Sequence, residues 1–303
     1  MSKVASQFRR SRLWDAAIVV ATLTVAMAVS WRAPGINSYA RDVLMRMRGA
    51  VNPPDGVVVV AVDEQSIRRF GRFPWSRALM ARALDEITEA KPKAIAISLL
   101  FSDPTTEADD TALAAAIQRA GKVVVAAQLI ETPLRRAEWL RPLPAIEQAA
   151  AGLGHGNVLT DFDGVARALT LRETDDEANV LWALAVQTVR VGDGVDASQV
   201  RDLPDAVKLG ARNIPITVDS PTATLASTSR NAGMETFRAS RLTIDYRGPS
   251  GTFANQTFSI ADVLDGRIGA ENFRGKYVLV GVTVAAMGDR VASPFARFAS
   301  NDG

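Results

Sequence analysis

The stretch VVVVAVDEQSIRRFGRFPWSR, residues 57–77, decides the fold. Its first six residues are a continuous β-branched and small apolar run, the pattern of a strand covered on both faces. Polar residues follow, and then Arg77 to Ala90 places Leu79, Ala83, Leu84 and Ile87 at helical spacing, which predicts an amphipathic helix. A doubly buried strand leading into such a helix opens a βαβ unit, so an α/β sheet is expected.

Toward the C-terminus the alternation continues. AIAISLLF at 94–101 predicts a second buried strand, Asp109–Ala120 a helix stopped by Gly121, and VVVAA at 123–127 a third strand. Gly152, Gly154 and Gly156 read as a helix C-cap and turn. Gly156–Thr160 and Ala166–Leu171 read as a hairpin around Asp161-Phe-Asp-Gly164. A helix at Val180–Val191, irregular strands and loops over 192–238, a strand at Leu242–Tyr246, a short helix at Ile260–Leu264 and a closing strand at Tyr277–Thr283 complete the pattern. The expected fold class is α/β: a single mixed, largely parallel sheet with helices on both faces, preceded by one N-terminal transmembrane helix.

Toward the N-terminus, Leu13 to Trp31 carries a single charge, Asp15, and a helix needs about 20 apolar residues to span a bilayer core. Lys3, Arg9, Arg10 and Arg12 precede this run; Arg32, Arg41, Arg46 and Arg48 follow it. The arginines packed against its entry tilt the orientation toward a cytoplasmic N-terminus. The alternative is a cleaved signal peptide ending at Ala26-Met27-Ala28. The expected organisation is a basic tip over 1–12, a signal anchor over 13–31, an amphipathic connector over 32–56, and an extracytoplasmic domain over 57–303. In the connector, Tyr39, Val43, Leu44 and Met47 form an apolar stripe. On that orientation the main domain is expected on the extracytoplasmic side of the membrane.

The pI near 9.1 belongs to that anchor region. Eight of the 35 basic and two of the 33 acidic residues lie within residues 1–48, leaving 27 basic and 31 acidic beyond. No concentrated basic face for nucleic acid is implied. With no cysteine and one histidine, His155, the chain lacks the parts of a disulfide framework, a zinc site or a hydrolytic triad. Gly269 to Lys276 imitates a phosphate-cradling loop, yet it has one residue too many between its glycines, and Tyr277 stands where Ser or Thr must hold magnesium. Asp161, Asp163 and Gly164 resemble the start of a calcium loop but lack its later ligands. Neither a metal nor a cofactor is expected.

Polar residues gather at the carboxyl ends of the expected strands, where open α/β sheets bind ligands: Asp63 and Glu64, Ser98 and Asp103, Gln128, Thr283 and Asp289. Capping competes with binding here, since Asp63 precedes a short helix at Glu64–Phe70 and Asp109 opens the next one.

The 57–77 stretch, with its strand ending in Asp-Glu-x-Ser, a Gly, and Pro-Trp-x-Arg, resembles the start of the type-two CHASE domain, the sensory extracellular module associated with cyclases and histidine kinases. ARDVLMRMRG at 40–49, PKAIAISLLFSDP at 92–104, DDTALAAAI at 109–117, GHGNVLTDFDGVARALTL at 154–171 and FRGKYVLVGVTVAAMGDRVASPF at 273–295 resemble the family's further motifs in order. Ser98 departs from the aspartate usual in the family. The resemblance implies a non-enzymatic sensor that feeds a cytoplasmic nucleotide cyclase, histidine kinase or Ser/Thr kinase. It also implies that the chain stops short of the family's later membrane helices.

The expected partners are the membrane, an unknown small molecule or environmental stimulus, and a second copy in a homodimer. The candidate ligand-binding residues are Asp63, Arg77, Asp163, Arg167 and Asp289. Arg77 and Arg167 have the fork needed to clamp an anionic group, and each is equally suited to a structural ion pair with one of the aspartates. Two other classes stay open: a periplasmic enzyme using Asp161 and Asp163 as a carboxylate pair, and a membrane-anchored assembly module.

Overall fold

The β-branched run becomes β1 (Val57–Val62), and it lies inside a seven-stranded sheet rather than at its edge. On one side of it is β13 (Thr257–Ser259), and on the other come β14 (Tyr277–Val282), β2 (Ala94–Ile97) and β3 (Val123–Glu131), all parallel. Strand β3 then changes partner along its length: Val124–Ala127 pair with parallel β5 (Gly152–His155), and Gln128–Glu131 with antiparallel β4 (Ala137–Leu140). This computed structural model describes residues 14, 18–22, 24, 34–132, 136–161, 163–216, 240–284 and 291–296. The chain divides into two units, Met1–Gly49 and Ala50–Gly303.

Alternation along the strands sets two different interfaces in the second unit. Val58, Val60, Ile95, Ile97, Val123, Val125, Val278 and Val280 face one way, onto a core with α3 (Arg77–Glu89), α4 (Glu107–Ala120), α5 (Pro144–Ala149) and α7 (Ile260–Leu264). Burying each Ile or Val side chain there contributes about 2 kcal/mol. The small residues Ala94, Ala96, Val124 and Ala126 face the other way, onto Leu184 and Val191 of α6 (Leu184–Gly192). Helices therefore do cover both faces.

The helix starts follow local chemistry. Helix α2 (Glu64–Phe70) is capped by Asp63, α3 by Ser76, and α4 by Thr106 rather than Asp109; Gly121 closes α4 with φ +66°. The Asp109 amide donates to the Thr106 hydroxyl, so Asp109 sits in the first turn instead of capping it.

Several expectations are corrected. The sheet is not single: among the described residues there is also a three-stranded antiparallel meander, β9 (Val200–Asp202), β10 (Ala206–Leu209) and β11 (Arg212–Pro215). Two further two-stranded pairs are β6 (Ala168–Thr170) with β12 (Arg241–Thr243), and β7 (Arg172–Thr174) with β8 (Val180–Trp182). The glycines at 152 and 154 lie in strand β5, not in a helix cap. Val180–Trp182 is a strand because it pairs with β7, which delays the start of α6 to Leu184. The hairpin around Asp161–Gly164 survives as a single Leu159–Ala168 bridge flanked by β6.

In the first unit α1 (Pro34–Arg48) is helical, with Tyr39, Leu44 and Met47 exposed along its apolar stripe. Of the expected span at 13–31 only Trp14, Ile18–Thr22 and Thr24 are described, all helical, and the rest lies outside the described residues. Among the described residues no helix is long and apolar enough to cross a membrane.

Candidate functional site

A cluster of charges around the buried Arg167 lies on the Asp161–Gly164 turn. Gly164 adopts φ +76° and its amide closes the turn onto the Asp161 carbonyl at 2.8 Å, which brings both aspartates round to Arg167. That guanidinium is 6% exposed. Its Nη1 donates to Asp161 Oδ2 at 2.7 Å and Asp163 Oδ1 at 2.9 Å, and its Nη2 donates to Asp163 Oδ2 at 2.8 Å. Tyr246 donates its hydroxyl to the Ala166 carbonyl at 2.8 Å; burial pushes its phenol up, with the Arg167 charge opposing.

Val165 forms a parallel bridge with Ala292, and the Ala166 amide reaches the Ala292 carbonyl at 2.9 Å. The charged hub thus sits where the C-terminal described segment, residues 291–296, joins the domain. One fork spanning two carboxylates is an ionic clamp, with both acids engaged by the same cation.

Arg77 forms a second clamp. It is 6% exposed at the start of α3 and donates Nη1 to Asp110 Oδ1 at 2.5 Å and Nη2 to the Asp103 carbonyl, with its guanidinium 5.5 Å from the Phe101 ring centroid. Burial works against the Asp110 carboxylate. Hydrogen bonds from the Thr105 hydroxyl and amide and from Arg77 outweigh it and hold that group below the usual range. These contacts tie the loop after β2 to α3 and α4. The preceding FGRFPW segment is braced by the Trp75 indole, which donates to the Gly71 carbonyl at 2.8 Å.

Asp63 serves as a cap. It accepts from the Ser66 amide at 2.9 Å and the Ser259 hydroxyl at 2.8 Å, while the Ser66 hydroxyl accepts from the Asp63 amide, so the first residue after β1 locks α2 to β13. Of the five sequence-predicted site residues, only Asp163 and Arg167 touch one another. Asp63 and Arg77 each serve a separate junction, and Asp289 lies outside the described residues.

Connections β1 to β2, β2 to β3, β3 to β5 and β13 to β14 carry helices of the same core face and advance in one direction across the sheet, whereas the long return from β5 to β13 runs back across it with α6 on the other face. Ser98, at the end of β2, is exposed, and its amide donates to the Val280 carbonyl at 2.8 Å.

Other polar positions were not legible as a group. Asn157 accepts from the Leu129 amide and donates to the Leu129 carbonyl, both at 2.9 Å, imitating a strand partner where β3 leaves β5. His155 is 1% exposed, lies against Trp139 at 6.1 Å between ring centroids, and has a partner for neither ring nitrogen. Burial pulls its imidazole down to about 4. At the amino ends of the strands, Asp193 accepts from Lys93 at 2.6 Å and from Tyr277 and Arg212 at 2.7 Å. The Lys93 hydrogen bond, with those from Tyr277 and Arg212, holds that carboxyl down at about 2. Among the described residues no group of His, Asp and Glu is arranged to hold a metal ion.

Comparison with known proteins places one family on this chain: residues 17–301 match the family model described as the CHASE2 domain. No curated protein and no solved structure matches it.

Proposed function

The chain belongs to the CHASE2 domain family, extracellular sensory domains of signalling receptors, and from this we propose that it is the stimulus-binding part of a bacterial transmembrane receptor. In this reading residues 13–31 anchor it in the inner membrane and residues 57–303 stand in the periplasm. The output is a cytoplasmic nucleotide cyclase or protein kinase. The observation that carries the reading is the extent of the match, residues 17–301, which takes in most of the apolar N-terminal run together with the whole α/β unit.

A sensor works only if its stimulus favours one of two conformations, because equal affinity for both shifts nothing. The Asp161–Arg167–Asp163 hub is suited to this. An anionic ligand group that recruits the Arg167 fork releases a carboxylate and loosens the turn that pairs, through Val165, with Ala292. Asp63 and Arg77 hold the frame around which that movement occurs.

Topology is the part to test first, and the absence of cysteine from the sequence makes the test free of background. Glu86→Cys places one thiol on an exposed position of α3. A membrane-impermeant maleimide is expected to label it in cells whose outer membrane alone is permeabilised. Labelling only after the inner membrane is opened overturns the reading.

A further inference from the structure

We propose that the outward face of the β9–β11 meander is a binding site for a phosphate-type oxyanion, held between Arg201 and Lys208. The register creates it. Arg201 of β9 stands directly opposite Lys208 of β10, and Lys208 stands opposite Asn213 of β11, so one rung of the meander carries two cations and an amide on the same face. The inward rungs explain the direction of that face: Val207 is buried in a core with Leu171, Ala183 and Val186, and Leu209, two residues on, is buried too, so their neighbours must point to water. Gln199 and Gly210 pair beyond the rung through the Gly210 amide and the Gln199 carbonyl, and Gly210 supplies the φ +57° that the two-residue turn into β11 requires.

Like charges directly opposite each other weaken a strand pair, and among the described residues no acid relieves them here. Neighbouring arginines are each matched, Arg172 to Asp202 at 3.0 Å and Arg212 to Asp193 at 2.7 Å. Among the described residues Arg201 and Lys208 have no carboxylate partner. Between them lies a cavity of about 200 Å³ lined by Gln199, Arg201, Lys208 and Gly210, an order of magnitude more than one water needs. Its side chains carry the Arg fork, the Lys ammonium and the carboxamide of Gln199, and no acid. That set matches a tetrahedral oxyanion, bidentate on Arg201 and capped by Lys208.

The site depends only on the meander's register, so its test stands apart from the sensory reading. The phosphate group can come from free solution or from a lipid headgroup. The full chain, in phosphatidylcholine nanodiscs, is heated with inorganic phosphate against chloride at equal ionic strength. Phosphate is expected to raise the melting temperature beyond chloride, and Arg201→Gln or Lys208→Gln to require about tenfold more phosphate for the same rise. Each variant removes a repulsion, so each is expected to be at least as stable as the parent without anion. Phosphatidylglycerol discs that produce the rise without phosphate, in the parent but not in the variants, assign the headgroup as the source. Equal responses to phosphate and chloride, or parent and variants shifting alike in both disc types, overturn the proposal.

Discussion

His155 makes the stability depend on pH through a single buried side chain. A buried imidazole with neither nitrogen paired is folded only in its neutral form, and its pKa near 4 lies below the unfolded value of 6.5. Between those values the unfolded chain binds the extra proton, so the stability is complete above pH 6.5 and is lost as pH falls toward 4. At pH 5 the loss is about 2 kcal/mol. Urea titrations at pH 7.5 and 5 are expected to show it, and His155→Phe is expected to remove that part of the slope while keeping the contact with Trp139. An unchanged slope in the variant would show that the acid sensitivity resides in other groups.

Arg167 behaves oppositely, since its charge is satisfied and two carboxylates depend on it. Arg167→Met leaves Asp161 and Asp163 facing each other and is expected to cost about 3–5 kcal/mol. Adding Asp161→Asn is expected to recover part of that loss in a double-mutant cycle. Strict additivity of the two substitutions would rule out the clamp.

At the scale of elements, the seating of the start of α6 on β5 depends on Gly154. A Cβ at Gly154 would lie 2.6 Å from the Leu184 Cα and 2.9 Å from its nitrogen, and backbone atoms at a helix start have nowhere to go. Gly154→Ala is expected to destabilise by about 1–3 kcal/mol. Gly156→Ala, two residues on and exposed with nothing within 4 Å, is expected to stay within about 0.5 kcal/mol of the parent. Equal urea midpoints for the two variants would contradict this packing.

Gly152 and Gly154 show why β5 escaped the sequence: GLGH has no β-branched residue, because the Leu184 backbone fills the space beside Gly154 and the Arg190 and Gln187 side chains that beside Gly152. VVVVAV, AIAI and VVVAA announced themselves because both of their faces are buried. Val180–Trp182 was indistinguishable from the apolar helix after it, and only its partner β7 separates the two. At the candidate site, an ion pair of Arg167 with one of the candidate aspartates was expected, and the local DFDGVAR turn supplies Asp163, whereas Asp110 as the partner of Arg77 depends on how α3 and α4 pack. No local pattern carries that information.

For the molecule as a whole, the second unit is built around unequal cores. Strands β1 and β2 and the first five residues of β3 are buried from both sides over most of their length, and β14 between them buries Val278 and Val280 in the main core, whereas the meander buries one face through Val207 and Leu209 and exposes the other. Free energies of local opening track such differences in buried apolar contact. Amide hydrogen exchange followed by mass spectrometry is therefore expected to reveal at least two classes. Peptides covering Val57–Val62, Ala94–Ile97 and Tyr277–Val282 exchange only through global unfolding and follow its denaturant dependence. Peptides covering Val200–Pro215 open earlier, with a shallower denaturant dependence because less surface is exposed. Uniform protection across both sets would mean that the meander is part of the central cooperative unit. The expected difference places the easily opened element beside the Arg172–Asp202 and Arg212–Asp193 bridges that tie it to β7 and to the end of α6. Asp193 in turn holds Lys93 and Tyr277 at the amino ends of β2 and β14, so the meander is joined to the central sheet by this one carboxylate as well as by its buried face.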